Sequence, residues 1–114
     1  MLNRNIECFM GCDKEADKAD IVLFGAPFDG TTSYRPGTRF GSAAIRRESY
    51  GIETYSPYQD ADLEDTAVMD TGDLELCFGD TQKALNQIQE RAQEILDTEK
   101  LPFLLGGEHL VTLG

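Results

Sequence analysis

The chain has one histidine, His109, and it follows Gly106-Gly107-Glu108 directly behind an apolar run, Pro102-Phe103-Leu104-Leu105. The run reads as a buried strand, the glycines break it, and Glu108-His109 opens an apolar-periodic segment, Leu110-Val111-Thr112-Leu113. The imidazole is therefore predicted at a strand-to-helix turn. In open parallel sheets the carboxyl ends of strands are where ligands and catalytic groups collect, so the imidazole could be a metal ligand, or else a capping or satisfied polar residue. One imidazole is still a single ligand.

Two further sets of residues could do chemistry. Asp70-Thr71-Gly72-Asp73 follows a short apolar run, Ala67-Val68-Met69, and two carboxylates at a strand end could ligate a metal or act as acid and base. Asp and Gly also serve the backbone of a turn, which is the plainer assignment. Cys8-x3-Cys12 with Cys77 and His109 nominally makes a Cys3His zinc set, but nothing pairs its second half at finger-like spacing. We set it aside.

The elements that must position these groups can be read from periodicity. Ile21-Val22-Leu23-Phe24 shows no alternation, as a strand covered on both faces requires, and Gly25-Ala26-Pro27 ends it. Residues 28–41 then form a long connection whose glycines and Arg35-Pro36-Gly37 imply tight turns. Arg35 or Arg39 could hold an anion at the rim of a site, or Arg39 could pair with an internal Asp and brace the loop. Neither a phosphate-loop pattern nor a dinucleotide Gly-x-Gly-x-x-Gly pattern occurs, so nucleotide binding is not supported.

Ser42 is predicted to cap a short helix through Ala43, Ala44, Ile45, Arg46 and Glu48 that Gly51 closes. Residues 49–65 return to irregular structure with Tyr50, Tyr55 and Tyr58, which could mark a contact or a substrate wall, or simply pack the loop. Asp80 or Thr81 caps the clearest helix, with Ala84, Leu85, Ile88, Ala92, Ile95 and Leu96 on one face. The sequence strand, helix, strand, helix, strand describes an α/β protein with a parallel sheet.

With 114 residues, 40% hydrophobic and 27% charged, the chain has room for one small domain. Residues 1–20 read as a polar, solvent-facing lead-in and 21–114 as the folded part. A net charge of -11 opposes binding to nucleic acid or anionic membrane. No run of apolar residues suits a signal sequence or a membrane span, and three cysteines make no disulfide framework, so a cytoplasmic location is expected.

Taken in order, several motifs resemble the N-terminal part of a ureohydrolase, the arginase and agmatinase family, on its bacterial agmatinase side. They are Gly25-Ala26-Pro27-Phe28-Asp29-Gly30, Arg35-Pro36-Gly37-Thr38-Arg39-Phe40-Gly41 with Ala44-Ile45-Arg46, Tyr50-Gly51-Ile52-Glu53-Thr54-Tyr55-Ser56-Pro57, Asp70-Thr71-Gly72-Asp73 and Gly106-Gly107-Glu108-His109. The likeness runs from about residue 20 to the end.

That resemblance implies a three-layer arginase-like α/β fold and two Mn2+ ions at the carboxyl ends of the strands. His109 matches the first metal ligand, and Glu108 stands where the family more often has Asp. The remaining ligands come from a later Asp-x-His-x-Asp motif and a later Asp-x-Asp motif, and neither occurs here. The implied activity is hydrolysis of a cationic guanidino compound, agmatine, to putrescine and urea in a homo-oligomeric parent, with guanidinobutyrase or arginase specificity as variants.

From this the chain is expected to be an incomplete ureohydrolase domain, inactive alone, or a non-catalytic remnant that associates through an open sheet edge. If the family order holds, the second strand lies on one side of the first and the third on the other. Residues 103–105 then form a bare hydrophobic edge.

Overall fold

A computed structural model describes residues 2–114. Three strands make its main sheet: β1 (Ile21–Gly25) at the centre, with two later strands parallel to it on either side. A helix, α1 (Gly41–Ser49), follows β1, and a two-stranded antiparallel ribbon, β2 (Tyr55–Ser56) and β3 (Ala61–Asp62), interrupts the stretch predicted to be irregular. The sheet then continues with β4 (Val68–Asp73), α2 (Thr81–Asp97) and β5 (Leu101–Leu105).

The strand order is β4-β1-β5, as anticipated. Ile21 aligns with Val68 on one side and with Leu101 on the other, and the register with β5 runs unbroken to Gly25 opposite Leu105. The β1/β4 register slips between Leu23 and Gly25.

Alternation along the strands divides the apolar residues between two faces. Val22, Phe24 and Met69 join Ala84, Leu85, Ile88 and Ile95 of α2 in the main core. Asp80 caps α2 by accepting from the Lys83 N–H at 3.0 Å. Truncating Ile95, which has no exposed surface, would cost about 2–5 kcal/mol. The opposite face carries Leu23 and Val68 with Cys12, and its hollow is walled by Phe9, Ile21, Leu63, Phe103 and Leu105. Leu101 and Phe103 remain more than half exposed on β5, so the bare apolar edge is real among the described residues.

Three local expectations need correction. Ser42 does not cap α1: it sits within the helix, buried, and among the described residues its Oγ has no hydrogen-bond partner, while Phe40 occupies the cap position. The segment after Glu108 forms a 3-10 turn, His109–Leu113, in place of an α-helix start.

The lead-in is not solvent-facing throughout, because Leu2, Cys8, Cys12 and Ala19 are buried. It runs beside β4, where the Asn5 N–H donates to Asp70 O at 2.8 Å and Lys14 N–H to Val68 O at 3.1 Å. A strand edge needs hydrogen-bond partners, and the first residues of the chain supply them. No helix of the described residues is long and apolar enough to cross a membrane.

Candidate functional site

His109 stands where the turn after β5 places it, at the carboxyl end of the sheet, and its side chain is exposed. The turn is built on the loop that leaves β1. Ala26 N–H donates to Leu105 O at 2.9 Å, Phe28 N–H to Ala26 O at 2.8 Å, and Glu108 N–H to Phe28 O at 2.8 Å. Between them Gly107 lies flat against the Phe28 backbone. A Cβ at Gly107 would come within 2.4 Å of Phe28 O and 2.9 Å of its N, so this approach requires glycine. Val111, buried in the main core, pins the other end of the turn.

The Glu108 carboxylate turns toward the same loop. Its Oε2 accepts from the Thr31 N–H at 3.0 Å, and its Oε1 accepts from the Thr31 hydroxyl. Thr31, Thr32, Ser33, Tyr34 and Arg35 form one wall of an open groove, and Glu108 and His109 form the other. Among the described residues the His109 ring has no hydrogen-bond partner, which leaves an imidazole nitrogen available to a ligand.

The two loop arginines have separate surroundings. Arg39 takes the bracing role: its Nε lies 3.7 Å from Asp29 Oδ2, which also accepts from the Gly37 N–H at 2.7 Å. Its guanidinium also stands 4.9 Å from the centre of the Phe40 ring. Arg35 lies over Tyr34 at 5.2 Å, on the groove side. A second hollow, between residues 27–40 and 74–79, is lined by Phe28, Leu74, Leu76 and Phe78 beside the paired Asp29 and Arg39.

The Asp70 carboxylate serves its own backbone through the Gly72 N–H, which is the plainer assignment, and also receives the Arg46 guanidinium. Asp73 is exposed and pairs with Arg46 through Oδ1. β4 runs through both, and Asp70 is fully buried. Asp70 Oδ2 accepts from Arg46 Nε and the Phe9 N–H, each at 2.8 Å, while Oδ1 accepts from Arg46 Nη2 at 3.0 Å and the Gly72 N–H at 2.9 Å. Arg46 Nη1 reaches Asp73 Oδ1 at 2.6 Å. Burial alone would lower the Arg46 pKa, but the hydrogen bonds to Asp70 and Asp73 outweigh it and hold the guanidinium charged. Every acceptor direction on Asp70 is used, so the cluster joins α1 to the sheet.

The tyrosines divide as well: Tyr50 donates to Cys8 O at 2.6 Å, Tyr55 to Asp60 Oδ1 at 2.6 Å, and Tyr58 is fully exposed. Cys8 and Cys12 are buried and Cys77 is half-buried. Among the described residues no group of three or more His, Cys, Asp or Glu is arranged to hold a metal.

Thr31 is the site residue that sequence reading missed. Its only signal was a place in Gly30-Thr31-Thr32-Ser33, an unremarked polar stretch of the long connection.

The model of the Arginase family matches residues 19–114. An agmatinase of Bacillus cereus is 49% identical over 96 residues, covering 84% of this chain and 33% of that protein. The solved agmatine ureohydrolase of Thermoplasma volcanium superposes with a TM-score of 0.88 at 28% identity, covering 96% of this chain and 37% of that one. A formiminoglutamase of Trypanosoma cruzi, solved with Mn2+, has a TM-score of 0.70 at 22% identity over 86% of this chain and 35% of its own, a likeness of fold alone. The chain spans about a third of the length of these proteins.

Proposed function

The chain belongs to the arginase family, and on that premise we propose that it forms one corner of an agmatinase-like site that cleaves the guanidinium C–N bond of agmatine with water, giving urea and putrescine. The observation that carries this reading is the placement of His109. A glycine turn at the carboxyl end of β5 holds its imidazole exposed over a groove walled by a separate loop.

The residues present fit a metal in a limited way. His109 would supply one imidazole to a Mn2+ pair, and its exposed ring, without a hydrogen-bond partner among the described residues, suits that role. The Glu108 carboxylate is turned to Thr31, which donates once to each of its oxygens, and so it faces the loop. A pair of bound divalent ions lowers the pKa of water so that hydroxide is available at neutral pH. Tyr34 and Arg35 would flank the substrate's path along the groove, and the acidic balance of the chain favours a dicationic substrate. With one ligand among its residues, the 114-residue chain alone would not hold the pair and would be inactive.

The test is a chimera in which residues 19–114 replace the matching part of the Bacillus cereus agmatinase. Urea release from agmatine, exceeding that from arginine or guanidinobutyrate, is expected, with loss of both manganese and activity on His109→Ala. Retention of stoichiometric manganese and turnover by that variant would remove His109 from the site.

The exposed edge of β5 favours a second reading, association with another chain. It applies to the 114-residue chain in isolation.

A further inference from the structure

Glu108 is gripped at both its ends. Its N–H is held by Phe28 O, Gly107 beside it is pressed on the Phe28 backbone, and its carboxylate takes the amide and hydroxyl of Thr31. The loop from which Thr31 comes is braced on the far side by Asp29, which holds Gly37 and Arg39, and by Thr38, whose hydroxyl donates to Phe28 O at 3.3 Å. The segment between these supports carries Tyr34 and Arg35 to the groove, and Thr31 is its fastening to the opposite wall. The next residue after Glu108 is His109.

We propose that Glu108 is a positioning residue that couples the 29–35 loop to the orientation of His109, through the two-point grip of its carboxylate on Thr31. The length of the side chain is part of the device. With the Glu108 main chain pinned at Phe28, an aspartate carboxylate would stop one methylene short of Thr31. The grip therefore depends on reach as well as charge, which separates it from a general electrostatic effect near the imidazole. Displacing the loop moves the turn that presents His109, and displacing the turn moves the groove wall.

The importance of this coupling rests on the reading of His109 as a metal ligand, but the coupling is measured without metal or substrate. Failure of the chimera to release urea leaves it standing, and its own failure leaves the chimera result standing. The probe is the metal-free 114-residue chain, observed by NMR of the His109 ring and by amide hydrogen exchange.

Thr31→Val removes the hydroxyl at a residue on the opposite wall of the groove. It should shift the His109 ring resonances and speed exchange of the 30–35 amides by about 10-fold, with β1 and β4 amides still protected. Thr31→Ser should restore both signals. Glu108→Asp should reproduce the Thr31→Val pattern, and combining the two should add nothing further. Unchanged His109 resonances and loop exchange in both single variants would overturn the proposal. So would additive effects, or a loss of β1 protection equal to that of the loop.

Discussion

Arg46 and Asp70 meet side on, with Nε 2.8 Å from Oδ2 and Nη2 3.0 Å from Oδ1, both residues almost wholly removed from solvent. The same guanidinium reaches Asp73, and Gly25 leaves the space, since a Cβ there would fall 1.8 Å from Asp73 Oδ1. α1, β4 and the end of β1 are thus locked at one point, close to where the long loop leaves the sheet.

Removing Arg46 strands two carboxylates, one of them fully buried. Arg46→Met should destabilise the fold by about 3–5 kcal/mol, the cost of breaking a buried pair from one side. Urea denaturation followed by circular dichroism measures it. A loss under 1 kcal/mol would mean that the Arg46–Asp70 pair does not hold α1 to the sheet.

Gly107→Ala places a methyl group against the Phe28 carbonyl. The backbone must separate, at about 1–3 kcal/mol. The Glu108 amide, which donates to Phe28 O, should lose its exchange protection, whereas Gly37→Ala has open space around its Cβ and strains only its left-handed backbone, leaving that amide protected.

The buried thiols give a pH signature. Burial, reinforced by the charge on Asp70, pushes the Cys12 pKa up to about 11 from an ordinary value of 9.0. Between these values the unfolded chain has released the proton and the folded chain has kept it, so stability falls as pH rises from about 9 to about 11. The slope is ~1.4 kcal/mol per pH unit at most and should flatten in Cys12→Ala. At pH 8 a thiol reagent should find Cys77 first, because Cys8 and Cys12 are buried. Equal rates at all three sites would contradict the packing of the lead-in against β4.

The outer edge of β5 invites pairing. Leu101 N–H and Leu105 O bond toward the interior of the sheet, which by alternation turns Pro102 and Leu104 outward. Pro102 has no N–H to offer, so Leu104 carries the edge donor. The isolated chain should self-associate with increasing concentration in sedimentation velocity, and Phe103→Lys should shift it toward monomer. An isolated chain that stays monomeric over a 100-fold range of concentration would show that the exposed Phe103 is tolerated.

Sequence alone determined the features that repeat at short range. The unalternating run at Ile21, the helical stripe of α2 with its cap at Asp80 or Thr81, and the glycine turn before His109 were all legible. Each depends on residues a few positions apart, or on the known preferences of parallel sheets. The motif series also pointed to the family that the comparisons establish.

Tertiary structure decided what lies across the chain. Thr31 meets Glu108 over a separation of 77 residues, and Arg46 meets Asp70 over 24. Nothing local distinguishes a carboxylate that serves its own turn from one that receives a distant guanidinium, so Asp70 reads as a turn residue until the sheet brings α1 over it. The same holds for the lead-in, whose polar composition hides the few side chains that β4 buries. Spacing puts His109 at the end of a strand, but only the folded loop shows which residue holds that turn in place.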